Sequence, residues 1–334
     1  MKKGYWIATS LLALWALSGL ASLMIGTPLI YADQVMDVFL GQGSPAQQLV
    51  ITEFRLPRLI ISLLAGACLG AAGYLLQGVT RNELADSSIL GINSGAGFFV
   101  MLYLGFFSNH TLPFLLLILA FIGGTVAAFL VYFIAYSRTG RLALNRLLLS
   151  GIAVNAGFSA LMLLVTIRIS KENYGFVNSW LAGSIWGASW PYVWAFLPWA
   201  FVLLPVAFFY SRRIEILSFG AERAQSLGLN VSKSQSILLL CAVGLACGSV
   251  AVAGSLSFVG LLAPHAAKIL LRKETPWTFV LSGLFGGLFV NVADIIARLI
   301  LPNGEIPTGI LIAMMGAPYF LYLLFRMQKK QLTQ

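Results

Sequence analysis

The chain has 334 residues, of which 59% are hydrophobic and 10% charged, and it carries a net charge of +10. Soluble domains carry about 25% charged residues. A chain this apolar cannot clothe a soluble fold, which leaves an all-α polytopic membrane protein whose excess positive charge belongs to cytoplasmic loops rather than to a nucleic-acid site.

The first apolar run, at about 5–26, follows Lys2 and Lys3. Its apolar core of about 20 residues exceeds a secretory h-region, so it reads as a retained first helix rather than a signal peptide. The segment at about 27–58 carries Asp33, Asp37 and Glu53 and reads as an ordered external cap with a partly amphipathic helix. Further apolar runs fall at about 59–79, 89–107, 113–136, 144–167, 191–210, 235–253, 256–271, 277–300 and 308–326. Together these predict about ten transmembrane helices in one domain over residues 1–334. The eighth is short and contains Pro264. Non-helical backbone at that depth survives only inside protein or beside a cavity.

Lysine and arginine set the orientation. With the N-terminus inside, Lys2, Lys3, Arg81, Arg138, Arg141, Arg146, Arg212, Arg213, Arg223, Lys233, Lys268, Arg272, Lys273, Arg326, Lys329 and Lys330 fall inside. Only Arg55, Arg58, Arg168, Lys171 and Arg298 fall outside. That split predicts both termini in the cytoplasm.

In the second helix Ser62, Gly66, Gly70, Gly73 and Gln77 fall on one face. Small residues on one face let membrane helices approach closely, so the stripe reads as tight packing, with a pore-lining role for Gln77 as the sharper reading. "SGLFGGLF" (282–289) repeats the small-residue theme in the ninth helix, and with "LAGACLGAAG" hints at an internal repeat.

Chemistry-bearing motifs are sparse. The sequence has no GxxxxGK[ST] phosphate loop, no HExxH and no nucleophile elbow. Cys68, Cys241 and Cys247 sit in apolar runs without CxxC spacing and read as packing residues. His110 and His265 lie far apart in sequence. An ion-coupled transporter needs ionisable groups deep in the membrane. The clearest candidates, Asp294 and Arg298, stand four apart near the outer end of the ninth helix and neutralise each other. No carboxylate relay accompanies them, so an ion-coupled secondary transporter is the weaker alternative.

"LSFGAERAQSLGLN" (217–230) is the longest polar stretch of the second half. Gly220 precedes a potential turn of helix, Ala221 to Leu227, with Glu222 in the first turn and Gly228 placed to end it. Seven residues make no stable helix alone. Ala224, Leu227 and Phe219 offer an apolar contact to a partner, rimmed by Glu222 and Arg223. A loop helix resting on its own membrane domain fits the same pattern.

Eight segments then carry a resemblance: "RLPR" (55–58), "LLQGVTRNELADSSILGI" (75–92), "WLAGS" (180–184), "LGLN" (227–230), "SFVGLLAPHAAK" (257–268), "ADIIAR" (293–298), "GEIPTG" (304–309) and "GAPYFLYLL" (316–324). In this order and over nearly the whole chain, they resemble the FecCD-type permease subunits of ATP-driven importers for iron–siderophore complexes, cobalamin and haem. The sequence departs at Glu83 and Ser87, where prolines are common, and at Ser255, Lys268 and Thr308. These departures leave the cargo open.

The resemblance implies a type II importer permease in the bacterial cytoplasmic membrane, with a ferric siderophore as the first reading of its cargo and cobalamin or haem as the alternative. It implies a second permease subunit, identical or paralogous, two ATPase subunits that hold ATP and magnesium, and an extracytoplasmic siderophore-binding protein. This chain itself would bind no cofactor or metal and catalyse no reaction. Within the cytoplasmic segment of about 212–234, the resemblance makes Leu217, Ser218, Phe219, Gly220, Ala221, Glu222, Arg223, Ala224, Leu227 and Gly228 the element that couples to the ATPase. It makes Arg55, Arg58 and Arg298 docking residues for acidic side chains of the binding protein. Gln77, Pro264 and His265 are candidates for pathway or structural roles, with His265 read as a structural hydrogen-bonder ahead of a ligand.

Overall fold

A computed structural model describes residues 2–107, 113–136, 144–271, 275–301 and 304–331. His110, Arg138, Arg141, Arg272 and Lys273 lie outside the described residues, as do the side chains of Lys2, Lys3, Arg326, Lys329 and Lys330. Every regular element of the described residues is helical: α1 (Lys2–Met24), α2 (Ala32–Phe39), α3 (Pro45–Gln48), α4 (Leu56–Thr80), α5 (Ile92–Phe106), α6 (Pro113–Ala135), α7 (Leu144–Thr166), α8 (Lys171–Leu181), α9 (Trp190–Ser218), α10 (Ala221–Ser226), α11 (Val231–Ala253), α12 (Val259–Leu271), α13 (Pro276–Ile300) and α14 (Thr308–Gln331). A π-helical turn (Leu49–Arg55) leads into α4 and a 3₁₀ turn (Ser87–Leu90) leads to α5. Eight of these elements are long and apolar enough to cross a membrane, and α5 and α12 are shorter apolar helices. All ten expected helices are therefore present.

α4 is the hub, packed by α13, α11, α12 and α9. Its small-residue stripe explains how. A Cβ on Gly66 would strike the Gly286 carbonyl, one on Gly70 the Ser282 carbonyl, and one on Gly73 the Gly260 carbonyl. Backbones meet directly here, and in a membrane such packing takes the place of the hydrophobic drive that lipid cannot supply. The two glycine-rich segments that hinted at a repeat are thus the two sides of one interface. Ser62 donates to Asn291 Oδ1 (3.1 Å), closing the outer end of the stripe.

The external segment is ordered. Val35 and Val38 of α2 pack with Leu23, Ile30, Ile51 and Leu59, the inward side of an amphipathic cap. A further external helix, α8, was not among the predicted elements. Ser170 caps it by accepting from the Asn173 N–H (3.3 Å).

The sixth membrane helix was expected to end near 210, with a cytoplasmic segment from about 212. Instead α9 continues to Ser218. No breaker intervenes before Gly220, and the charged residues are accommodated on aromatic faces. The Arg212 guanidinium lies 5.8 Å from the Phe208 ring centroid, and that of Arg213 lies 4.5 Å from Tyr210. The true connection is correspondingly short.

Candidate functional site

α10 is built by the backbone conformations around it. Gly220 (φ 107°) turns the chain out of α9, and Gly228 (φ 83°) turns it toward α11. The Leu229 N–H donates to the Ala224 carbonyl (3.0 Å) and the Gly228 N–H to that of Gln225 (2.8 Å), the paired bonds of a Schellman ending. Asn230 then caps α11 by accepting from the Lys233 N–H (3.0 Å). Arg213 Nη1 donates to Ser234 Oγ (3.1 Å), tying α9 to α11 behind the turn.

The faces of α10 are sharply unequal. Ala224 is fully buried against its own domain, so it does not belong to the apolar contact that the sequence suggested for it. Phe219 and Leu227 are 56% and 66% exposed at the two ends of the element. Ala221, Glu222, Arg223, Gln225 and Ser226 are exposed between them. Leu217 is buried as the anchor at the end of α9, and Ser218 bonds back to the Glu215 carbonyl (2.6 Å).

Arg81 lies beside this element and was missed as part of it. It ends α4 in a left-handed conformation (φ 51°), and its Nη2 donates to the Leu217 carbonyl (2.8 Å). The last turn of α9 holds no basic residue of its own. Arg81 supplies from another helix the cation that a helix C-terminus favours. No sequence signal links residues 136 positions apart.

On the outer side the three arginines expected to face a docking protein are turned inward. Arg58 donates to Asp294 through Nη2 (2.8 Å) and Nε (3.0 Å), and through Nη1 to Glu305 (2.7 Å). Asp294 is fully buried and also accepts from Thr308 Oγ1 (3.0 Å). Arg298 pairs with Asp294 (3.3 Å), as its spacing predicted, and donates to the Ser22 and Ile25 carbonyls (3.0 Å each). Arg55 donates to the carbonyls of Leu23 (2.7 Å), Met24 (3.0 Å) and Pro28. Arg55 and Arg58 are 5% and 9% exposed. The cluster ties the outer ends of α1, α4 and α13 to the segment leading into α14.

The remaining candidates are interior. Gln77 is buried, and its Nε2 approaches the Gly260 and Leu261 carbonyls (3.4 Å each). Pro264 is buried inside α12. His265 Nδ1 meets Tyr319 Oη at 2.6 Å, a link between α12 and α14. Near the outer ends, Gly175, Phe176, Ser179, Trp180, Ser184 and Trp186 line a cavity of about 270 Å³.

The FecCD transport family model matches residues 13–326. The chain is 41% identical to the iron(3+)-hydroxamate import system permease protein FhuG of Bacillus subtilis, across 91% of this chain and 92% of that protein. It is 38% identical to the iron-uptake system permease protein FeuC of the same organism, across 89% and 90%. It is 36% identical to the cobalamin import system permease protein BtuC of Halobacterium salinarum, across 83% and 73%. Its fold is similar to that of an inward-facing metal-chelate type ABC transporter, with a TM-score of 0.83 at 28% identity over 96% of this chain and 99% of that chain.

Proposed function

The chain belongs to the FecCD transport family and is a multi-pass permease subunit of an ATP-driven importer in the bacterial plasma membrane, and from this premise we propose that its cargo is a ferric siderophore. The observation that carries the proposal is the 41% identity to a ferric-hydroxamate permease across nine-tenths of both chains. The similarity to a cobalamin permease makes cobalamin the second reading.

In this reading ATP and magnesium belong to separate ATPase subunits, since the chain has no phosphate-binding loop. The exposed face of α10, with Phe219 and Leu227 at its ends, is the seat for the ATPase. ATP-driven closure of the ATPase pair displaces α10, and this chain then rocks against a second permease subunit. The chelate passes along the route between them, with recognition delegated to an extracytoplasmic binding protein. A partner carboxylate reaches Arg55, Arg58 or Arg298 only by displacing the internal acceptors those side chains already hold.

Radio-iron uptake in cells with and without the gene tests the cargo, using hydroxamate, catecholate and carboxylate siderophores with labelled cobalamin alongside. Selective loss of one siderophore's uptake is expected. Intact iron uptake with lost cobalamin uptake would transfer the assignment to cobalamin.

A further inference from the structure

The segment between α4 and α5 touches two otherwise separate places. At one end Arg81 holds the Leu217 carbonyl at the foot of α9, three residues before Gly220 releases the chain into α10. The last turns of α4 and α9 are already in contact there, since a Cβ on Gly78 would strike the Ile214 side chain. At the other end the buried Asp86 stands against the start of α12. A Cβ on Gly260 would collide with Asp86 Oδ1, and the Phe258 N–H faces the same carboxylate. Phe258 has φ 67°, so the chain turns sharply into α12 at this contact. Ser88 Oγ donates to Asp86 Oδ2 (3.0 Å) and the Leu84 N–H to Asn82 Oδ1 (3.0 Å), so the short stretch between the two contacts is braced internally. Ile89 continues it into the interior, where its carbonyl lies against Gly151 of α7.

We propose that Arg81 is a positioning residue for coupling: its hydrogen bond makes residues 81–90 move with α10, and through Asp86 carries that movement to the start of α12. The inference rests on the reading of α10 as the ATPase seat. A charge-assisted bond to a helix-end carbonyl suits the task, since it is stronger than a neutral one and directional. Coupling between sites requires an element that both ends bias, and here one short braced segment meets α9 through Arg81 and α12 through Asp86, five residues on.

The test uses the full transporter with its ATPase subunits, carrying spin labels at Glu83→Cys and Glu215→Cys, both exposed positions, the second in the last turn of α9 beside Leu217 and outside the ATPase-facing side of α10. The three native cysteines are buried and stay unlabelled. The label-to-label distance is expected to be the same in nucleotide-free and ATP-bound complexes. In Arg81→Ala and Arg81→Gln, the population whose labels separate on ATP binding should rise about tenfold, roughly what one charge-assisted hydrogen bond is worth, and Arg81→Lys should restore the single distance. ATPase affinity, measured on the same variants, should not change. An ATP-dependent distance in the unsubstituted complex, or a constant one in both Arg81→Ala and Arg81→Gln, overturns the proposal. Failure of the α10 reading is separately visible: Glu222→Lys/Leu227→Ala would then leave ATPase affinity unchanged.

Discussion

Arg58 grips Asp294 with two nitrogens, Nη2 at 2.8 Å and Nε at 3.0 Å, across 236 residues of sequence. Both groups are shielded from water, and the carboxylate is fully buried. Removing Arg58 takes its charge-assisted hydrogen bonds from a buried carboxylate that keeps Arg298 (3.3 Å) and Thr308 (3.0 Å) as partners, at a cost of about 1.5–3 kcal/mol. Arg58→Ala should therefore destabilise the isolated subunit in detergent by about that amount, with no binding protein present. Thermal unfolding measures it. A variant that melts like the parent and only loses affinity for a binding protein would restore the docking role that the sequence suggested.

The α4 stripe makes a second prediction. Gly73 faces the Gly260 carbonyl with no room for a side chain. Gly73→Val should force α4 and α12 apart, and overpacking of this kind costs about 1–3 kcal/mol. Gly175 of α8 has nothing within 4 Å of a Cβ position. Gly175→Ala should leave stability unchanged or raise it by up to about 1 kcal/mol through helix propensity. Equal losses in both variants, read by thermal unfolding, would refute the close approach as the reason for the stripe.

Sequence periodicity showed the ten membrane helices and the packing face of α4 because both are local properties: apolar length, and small residues returning every turn. It also showed the turn at α10, where Gly220 and Gly228 carry the positive φ that ends a helix on each side. The interior partners were not legible. Nothing near Arg58 in sequence names Asp294, and nothing near Arg81 names Leu217. The resemblance therefore pointed to Arg55, Arg58 and Arg298 as docking charges without naming the internal acceptors that each of them holds in the fold. Ala224 was misplaced for a related reason. In so short a helix the apolar residues do not declare which face turns inward, and only the packing of α9 and α11 decides it.

α10 offers a third prediction. Phe219 and Leu227 are exposed apolar side chains at its ends, and Ala224 is its buried seat. Burying a leucine or phenylalanine side chain contributes about 1.5–3 kcal/mol. Phe219→Ala/Leu227→Ala should lower ATPase affinity at least about tenfold, the equivalent of 1.4 kcal/mol, with the subunit's melting unchanged. Ala224→Leu should instead unseat α10 and lower both. Pull-down of the ATPase alongside thermal unfolding separates the two, and undiminished affinity in the double variant would remove α10 as the seat.

Asp86 gives a pH dependence whose sign follows from its surroundings. Burial pushes its carboxyl above the usual aspartate range, against the smaller opposing pull of Ser88 and the backbone N–H groups of Ser87, Ser88 and Phe258. A carboxyl whose folded pKa lies above its unfolded value contributes stability that is present at low pH and is lost as pH rises through the folded value. The parent protein should therefore melt at progressively lower temperature as pH rises from the ordinary aspartate range through the raised one. Asp86→Asn keeps the shape and an acceptor oxygen without the charge, so it should remove that slope and be no less stable at neutral pH. Asp86→Leu should fare worse at every pH, because the backbone N–H groups that face the carboxylate would then be buried without an acceptor. Melting curves of the three proteins across pH decide it, and a parent slope that persists in Asp86→Asn would assign the titration to another group.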